Sequence, residues 1–236
     1  MSQPRNPIIV ALDVPHLESA LAMVEQVAPV VGAFKVGKEL FVATGPEIVR
    51  RIRATGAAVF LDLKFHDIPN TVAKAVESAV RLDVQMLTIH TSGGLAMMQA
   101  AQKSAEEAAL RTGKTQPLVL GVTVLTSLNS NDLAEVGVPH DVGNQVERLA
   151  SLAAKAGLGG LVCSPLEIAR LRQFLPAHVQ LVTPGIRPAD SKADDQKRTL
   201  TPKEALAAGA SWLVIGRPIC AAPSPRAAAE TILASL

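Results

Sequence analysis

The sequence predicts an α/β fold of the (β/α)₈ TIM-barrel type, in which a single domain covers residues 1–236. Eight apolar, strand-like runs alternate with helical patterns along the chain. The runs are continuously apolar, which is typical of parallel strands that are covered on both faces. The chain has 236 residues, a length close to the ~250 residues that one such barrel commonly needs. Eight units in this length leave no room for a second domain.

The elements are recognised by apolar runs, by helical spacing of apolar residues, and by proline and glycine at helix ends. Pro69 and Pro202 suit first turns of helices, and Gly56 and Gly157 follow last turns. The predicted strands are residues 7–14, 33–37, 58–65, 84–90, 117–125, 160–164, 179–183 and 212–215. The predicted helices are residues 16–31, 46–55, 68–82, 142–156, 202–208 and 224–233, with one that follows residues 91–94 and reaches 111, one that begins at 165, and a small insert within 126–140.

The composition argues against several classes of protein. The formal net charge is only +2, and the chain has no Tyr and one Trp, so it lacks the basic, aromatic surface typical of nucleic-acid binding. No apolar run reaches the ~18 residues of a membrane span, and the N-terminal residues lack the apolar core of a signal peptide. Cys163 and Cys220 lie in apolar runs and are expected to be small buried residues in a reducing cytosol. We therefore expect a cytoplasmic protein that binds neither nucleic acid nor membranes.

Three charged side chains interrupt the third strand and the loop after it: Asp62, Lys64 and Asp67. Because side chains two apart on a strand share a face, Asp62 and Lys64 are expected to project together, and Asp67 follows in the loop. A lysine between two carboxylates can offset their repulsion, and such a cluster is a candidate site of proton transfer. The alternative is an ion-pair network that only closes the end of the strand.

Polar and charged residues also follow the other predicted strands, at the rim where barrels carry their active sites. Packing alone does not account for charges that arrive from several strands at one rim, so together they predict a site. Gly185 and Gly216 lie where barrels commonly bind phosphate, and Arg217 can donate two hydrogen bonds. The alternative is a pair of turn glycines beside solvated arginines. The rim residues are Asp13, Lys35, Asp62, Lys64, His90, Thr126, Ser127, Gly185, Arg187, Gly216 and Arg217.

Other features of this rim have more than one interpretation. His90 could act as a base, but a hydrogen-bonded core histidine is the commoner situation, and His66 is expected to face away from Lys64. The long polar segment of residues 188–199 is either a lid or a surface loop. Paired aspartates could hold Mg²⁺, but Lys64 competes for the same charge, so no metal is required. The chain also lacks a Gly-x-Gly-x-x-Gly dinucleotide fingerprint.

The block Asp-x-Lys-x-x-Asp-Ile-Pro-x-Thr at residues 62–71 is highly specific, and six further stretches accompany it over nearly the whole chain. With them the chain resembles the bacterial orotidine 5'-phosphate decarboxylases, and no functional position departs from the family pattern. The six stretches are residues 11–13 (Ala-Leu-Asp), 34–37 (Phe-Lys-Val-Gly), 122–127 (Val-Thr-Val-Leu-Thr-Ser), 183–188 (Thr-Pro-Gly-Ile-Arg-Pro), 194–196 (Asp-Asp-Gln) and 216–218 (Gly-Arg-Pro).

The resemblance implies an activity and a role for each matching residue. The activity is metal- and cofactor-free conversion of orotidine 5'-monophosphate to UMP and CO₂, the last step of de novo pyrimidine biosynthesis. Lys64 would protonate carbon 6 of the pyrimidine, within a charge array that includes Lys35, Asp62 and Asp67. A homodimer is implied, in which Asp67, Ile68 and Thr71 enter the site of the other subunit. The remaining implied roles are ribose binding by Asp13 and Lys35, contact with the pyrimidine edge by Thr126 and Ser127, and phosphate binding by Arg187, Gln196, Gly216 and Arg217.

Two other functions compete with this interpretation. Related barrel lyases that act on sugar phosphates, such as 3-keto-gulonate-phosphate decarboxylase and hexulose-phosphate synthase, share the Asp-x-Lys-x-x-Asp core but use Mg²⁺. The Ile-Pro-Asn-Thr continuation at residues 68–71 and the block at residues 183–188 argue against them. The second competitor is a catalytically silent barrel that binds a nucleotide phosphate, which the intact set of Asp62, Lys64 and Asp67 disfavours.

Overall fold

The structure is a computed structural model of the chain, and it describes residues 6–139, 141–187 and 199–236. Eight parallel strands close into a barrel in chain order, and the last strand pairs with the first. The predicted (β/α)₈ barrel is thereby confirmed. The strands are β1 (Ile8–Ala11), β2 (Ala33–Gly37), β3 (Val59–Phe65), β4 (Met86–His90), β5 (Leu118–Val122), β6 (Gly160–Val162), β7 (Gln180–Thr183) and β8 (Trp212–Ile215).

Helices connect the strands and cover the outside of the barrel. They are α1 (Leu17–Val27), α2 (Lys38–Thr44), α3 (Glu47–Ala54), α4 (Pro69–Arg81), α5 (Gly94–Thr112), α6 (Ser130–Glu135), α7 (Val142–Lys155), α8 (Ile168–Arg172), α9 (Pro202–Ala207), α10 (Arg217–Cys220) and α11 (Pro225–Ala234), with 3₁₀ turns at Ala28–Val30, Thr91–Gly93 and Pro165–Glu167. None of the helices in the described ranges is both long and apolar enough to cross a membrane.

Two short helices, α2 and α10, were not predicted from the sequence. Each is a single turn or two directly after a strand, and in each of them one residue is buried, Leu40 in α2 and Ile219 in α10. A helix this short cannot show the repeated apolar spacing by which longer helices are recognised. The first helix also ends earlier than predicted, because Pro29 converts its last turn into a 3₁₀ turn.

The strands present alternate side chains to the interior of the barrel and to the helices. The interior cluster includes Ile9 and Ala11 of β1, Phe60 of β3 and Met86 of β4. Because side chains two apart share a face, the next inward positions after the last two are residues 62 and 88. The barrel interior is therefore apolar at its floor and becomes polar towards the carboxyl ends of the strands, which is where Asp62 lies.

The pairing between β3 and β4 is irregular at the carboxyl end of β3. Leu61 pairs with Leu87 and Phe65 pairs with Ile89, so β3 carries two extra residues between these pairs. Lys64 lies within this bulge at φ +54°, a left-handed backbone conformation that residues other than glycine rarely adopt. Such backbone strain persists only where surrounding contacts hold it, and it is frequent at functional sites.

Arg172, the last residue of α8, ties together the amino-terminal side of the barrel, away from this rim. Its guanidinium donates hydrogen bonds to the carbonyls of Val179 (2.7 Å) and Gly209 (3.0 Å) and to the hydroxyl of Ser211 (3.2 Å). Val179 and Ser211 directly precede β7 and β8. Burial lowers the pKa of Arg172, so this cation is held by hydrogen bonds in a partly desolvated place.

We predict that Arg172→Met reduces the free energy of unfolding by about 3 kcal/mol, because it leaves two carbonyls without their charged donor. For a chain of this size the expected fall in Tm is roughly 6–12 °C. Arg170→Met is the matched control on the same helix, since Arg170 is exposed and pairs with Glu147 at the surface. Such a surface ion pair contributes about 1 kcal/mol or less to the free energy of unfolding. Urea and thermal denaturation measure both variants, and equal losses would contradict the assignment.

Candidate active site

A cavity of about 210 Å³ lies at the carboxyl ends of the strands. A second hollow of about 200 Å³ adjoins it, and the two share Lys35, Pro184 and Val214. We call them the lysine cavity and the arginine hollow, after Lys64 and Arg217. The lysine cavity is lined by Lys35, Phe60, Asp62, Lys64, Val122, Val124, Leu125, Thr126, Val162, Cys163, Pro184 and Val214. The arginine hollow is lined by Ala11, Asp13, Lys35, Pro184, Gly185, Arg187, Val214, Gly216 and Arg217.

Lys64 and Asp62 form a tight ion pair at the wall of the lysine cavity. The ammonium Nζ lies 2.7 Å from Asp62 Oδ1 and 2.8 Å from Oδ2. The two side chains are only 23% and 13% exposed, so water screens the pair less than it would at the surface. The structure thus brings these two residues together as predicted, with the ammonium directed at the cavity.

A second ion pair, between Lys35 and Asp13, lies where the two hollows meet. Lys35 Nζ is 3.0 Å from Asp13 Oδ1, and the lysine side chain is 13% exposed whereas that of Asp13 is 64% exposed. Two glycines border the pair. A Cβ at Gly37 would come within 3.1 Å of Lys35 Nζ, and a Cβ at Gly216 within 3.4 Å of Asp13 Oδ2. The absence of side chains at these positions leaves room beside both charged groups.

The arginine hollow combines two guanidinium groups with glycine backbone. Gly185 has φ +78°, which suits glycine, and Gly216 directly precedes α10. The guanidinium of Arg187 donates to the carbonyl of Ile186 at 3.0 Å, and the backbone N–H of Arg187 donates to the carbonyl of Leu200 at 3.0 Å. Arginines beside glycine backbone can bind a phosphate through several charge-assisted hydrogen bonds. The candidate lid was predicted over residues 188–199; residues 188–198, which include Gln196, lie outside the described residues.

Four of the predicted site residues do not line either hollow within the described part of this chain. Asp67, Ile68 and Thr71 are exposed on the loop after β3 and the start of α4. The Asp67 carboxylate accepts a hydrogen bond from the Ile68 N–H at 2.6 Å, and Ile68 is 67% exposed. Ser127 is also exposed, whereas its neighbour Thr126 lines the lysine cavity.

The two histidines near this rim are packed against each other. The ring centroids of His66 and His90 are 5.4 Å apart, with the planes tilted by 41°. His90 is half-buried and His66 is exposed. Burial, assisted by electrostatic interactions with His66 and Lys64, lowers the pKa of His90 and so favours its neutral form. Among the described residues that line the two hollows there is no histidine.

Both cysteines are free thiols. Cys163 lines the lysine cavity, and burial raises the pKa of its thiol well above the usual range. Cys220 is half-buried and donates to the carbonyl of Ala11 at 3.3 Å; burial, with the nearby Asp13 carboxylate, raises the pKa of its thiol to about 11. Neither thiol is ionised at neutral pH, so neither is a ready nucleophile.

Thr88 of β4, which was not predicted as a site residue from the sequence, contacts both members of the ion pair. Its hydroxyl oxygen accepts a hydrogen bond from the Lys64 backbone N–H at 2.9 Å, and the hydroxyl donates to Asp62 Oδ1 at 3.0 Å. The residue is fully buried. The strand pattern could have indicated it, because Thr88 shares a strand face with Met86 and His90. A polar residue on the inward face near the rim is a candidate site residue.

The arrangement is suited to electrostatic chemistry and to proton transfer. A half-buried ammonium beside a largely apolar cavity wall can stabilise negative charge that develops nearby and can donate a proton to it. Within the described ranges there is no group of three or more His, Cys, Asp or Glu side chains placed to hold a metal ion. Both oxygens of Asp62 are bound by Lys64, so a cation at that carboxylate would have to displace the ammonium.

Known proteins resemble this chain over its whole length. The family model described as "Orotidine 5'-phosphate decarboxylase / HUMPS family" matches residues 6–232. An orotidine 5'-phosphate decarboxylase of Opitutus terrae is 54% identical, with 97% of each chain covered. The enzyme of the same name from Pseudomonas syringae pv. syringae is 52% identical, with both chains covered completely.

Solved structures resemble the chain equally completely. A crystal structure of orotidine 5'-phosphate decarboxylase from Lactobacillus acidophilus has a TM-score of 0.86 at 37% identity, covering 96% of this chain and 97% of the other. The crystal structure of an uncharacterized conserved protein from Geobacillus kaustophilus has a TM-score of 0.84 at 34% identity, covering 96% and 98%. The agreement of sequence, fold and motif over the full chain shows that the protein belongs to the orotidine 5'-phosphate decarboxylase family.

Proposed function

We propose that this protein is a carboxy-lyase that converts orotidine 5'-monophosphate to UMP and CO₂ in pyrimidine biosynthesis. Relatives of this name at 51–54% identity over nearly the whole chain support the activity. The structural observation that carries the proposal is the Lys64 ammonium, held against Asp62 in a cavity that continues into the arginine hollow. A nucleotide monophosphate needs both parts, one for its base and one for its phosphate.

Lys64 is the proton donor in the proposed reaction. Loss of CO₂ breaks the bond between the carboxylate and carbon 6 of the pyrimidine and leaves the electron pair on that carbon. The pair lies in the ring plane, so the π-system does not delocalise it, and a nearby fixed positive charge must stabilise it. The Lys64 ammonium supplies this charge and then transfers a proton to carbon 6, which gives UMP. The neutral amine regains a proton from solvent.

Asp62 has two effects in this proposal. It holds the ammonium in place through both of its oxygens, and it places negative charge near the carboxylate that leaves. Repulsion between the two carboxylates disfavours the bound substrate relative to the transition state, in which the leaving group is losing its charge. Lys35 and Asp67 complete the charge array around Lys64.

The remaining proposed roles are binding roles, and they divide between the two ends of the site. Asp13 and Lys35, at the junction of the hollows, bind ribose hydroxyls, and Thr126 with Ser127 binds the edge of the pyrimidine. Gly216 and the arginine pair, with Gln196, bind the phosphate. Binding energy from this remote phosphate can hold carbon 6 next to Lys64 and so contribute to catalysis rather than to affinity alone. The arginine pair is Arg187 and Arg217.

The active form in this proposal is a cytoplasmic homodimer that shares its sites. Asp67, Ile68 and Thr71 enter the site of the other subunit. Support comes from their exposure on one chain and above all from Ile68, an apolar side chain that is 67% exposed directly beside the site loop. An exposed apolar side chain in this position is stabilised when a second subunit covers it.

We predict that Lys64→Ala lowers kcat by at least about 10⁴-fold, because it removes both the acid and the charge opposite the carbanion. Binding of UMP should survive with a much smaller loss, since the arginine hollow is intact. Lys155→Ala, at an exposed position at the end of α7, is the matched control and should keep full activity. The loss of substrate absorbance measures turnover and calorimetry measures UMP binding; decarboxylation retained by Lys64→Ala would refute the acid assignment.

We predict that mixing inactive Lys64→Ala and Asp67→Ala proteins restores activity. In a mixed dimer one site carries both lesions and the other carries none, so random exchange leaves about a quarter of all sites intact. The matched control mixes Lys64→Ala with the double variant Lys64→Ala/Asp67→Ala, in which every site lacks Lys64 and no recovery is expected. If the first mixture also stays inactive after subunit exchange, Asp67 does not act across an interface.

We predict that the decarboxylation proceeds unchanged after dialysis against EDTA, with kcat and KM within about twofold of the untreated protein, a difference of less than 0.5 kcal/mol in barrier. Lys64 already occupies both oxygens of Asp62, and charge stabilisation then needs no divalent ion. Loss of activity that added Mg²⁺ restores would favour the sugar-phosphate lyases of the same barrel group. UMP binding without any turnover would favour the silent binding barrel.

A further inference from the structure

The bulge in β3 removes the regular pairing with β4 from the residues that carry the ion pair, whereas on the other side Asp62 still pairs with Gly37 of β2. Between the pairs Leu61–Leu87 and Phe65–Ile89 lie three residues of β3 but only one residue of β4, which is Thr88. Asp62 and Lys64 both lie in this irregular stretch, and Lys64 has φ +54°. Pairing with β4 therefore does not fix the two side chains on this side of β3, and a side-chain contact from β4 can take its place.

Thr88 supplies that contact with one hydroxyl group. The oxygen accepts the hydrogen bond of the Lys64 N–H at 2.9 Å, and the hydroxyl proton goes to Asp62 Oδ1 at 3.0 Å. One atom thus links the strained backbone of one residue to the carboxylate of the other. Thr88 is 0% exposed, so water does not compete for either hydrogen bond.

The direction of these hydrogen bonds matters for the orientation of Asp62. With the Thr88 hydroxyl on Oδ1 and Lys64 Nζ at 2.7 and 2.8 Å from the two oxygens, the carboxylate plane is fixed by donors on two sides. A carboxylate held only by a flexible lysine could rotate, and the ammonium would rotate with it. Displacements of about 1 Å at a reacting group can cost about 100-fold in rate.

We propose that Thr88 is a positioning residue for the reaction, which fixes the Asp62–Lys64 pair through its hydroxyl and does not itself touch the substrate. The inference rests on the proposed function for its kinetic consequence only. Thr88 is buried behind the pair and is absent from the described lining of both hollows. Its effect is therefore expected in kcat and in the mobility of β3, and much less in the binding of nucleotide.

Thr88→Val tests the proposal, because valine keeps the shape of threonine and lacks the hydroxyl. We expect kcat to fall by about 10- to 100-fold, with KM and UMP affinity within about threefold. Thr88→Ser keeps the hydroxyl and should recover most of kcat. Should Thr88→Val not fold, the pair Thr88→Ser and Thr88→Ala isolates the hydroxyl in the same way, since these two variants differ by one oxygen atom.

Thr91→Val is the matched control for burial and for the loss of a hydrogen bond. Thr91 is also fully buried, and its hydroxyl donates to the Val122 carbonyl at 2.7 Å and not to either member of the ion pair. Both valine variants should lower Tm by a few degrees, but only Thr88→Val should lose kcat. An equal loss of kcat in both, or a kcat for Thr88→Val within twofold of the parent, would overturn the proposal.

Hydrogen exchange gives a test that does not depend on activity. The Lys64 amide should exchange faster with solvent in Thr88→Val than in the parent protein, and at the parent rate in Thr91→Val, because its hydrogen bond is accepted by Thr88 and not by Thr91. Unchanged exchange in Thr88→Val would overturn the positioning role even in an active enzyme. If the parent protein has no decarboxylase activity but the Lys64 amide responds in this way, the proposed function fails and the positioning of the pair stands.

Discussion

The contact between the Lys64 ammonium and the Asp62 carboxylate is the interaction around which this rim of the barrel is organised. Both groups are largely withdrawn from water, and a half-buried charge is tolerated only if it is paired and hydrogen-bonded. Each charged group therefore offsets the free-energy cost of burying the other. The same withdrawal is what gives the pair chemical value, because an ammonium in a weakly screened cavity acts on nearby charge far more strongly than one in water.

The barrel can hold such a pair because packing residues and site residues occupy different positions along each strand. The lower inward positions, such as Phe60 and Met86, form an apolar floor inside the strands. The next inward positions carry Asp62 and Thr88, and outward residues such as Leu61 and Leu87 pack under the helices. Fold stability thus comes from positions that alternate with the site residues. The site can hold strained backbone and paired charges while the surrounding strands stay regular.

Much of this could be predicted from the sequence, for reasons that also explain what could not. The eight-fold alternation of strands and helices and the inward direction of Asp62 follow from side-chain periodicity, which local sequence carries. Helix α2 has too few turns to show a period. The bulge that places Lys64 at positive φ depends on how β3 pairs with β4, which is a contact between distant parts of the chain. The sequence shows Thr88 as a polar residue on the inward face, but its hydrogen bonds to Asp62 and Lys64 depend on that pairing. The places of Ser127 and Ile68 depend on loop geometry, which no short pattern specifies.

The ion pair also explains why substrate charge and catalysis are connected in the proposed reaction. In the structure the Lys64 ammonium pairs with one carboxylate, that of Asp62. A substrate carboxylate beside Asp62 places two anions around Lys64, and the phosphate bound by the arginine pair opposes its escape. Departure of CO₂ leaves the new negative charge on carbon 6, where the ammonium can stabilise it and then neutralise it by transferring a proton. A rigid Asp62 is essential to this sequence of events, since a carboxylate free to turn away would relieve the repulsion without any reaction. The hydroxyl that Thr88 directs at Asp62 Oδ1 opposes that rotation.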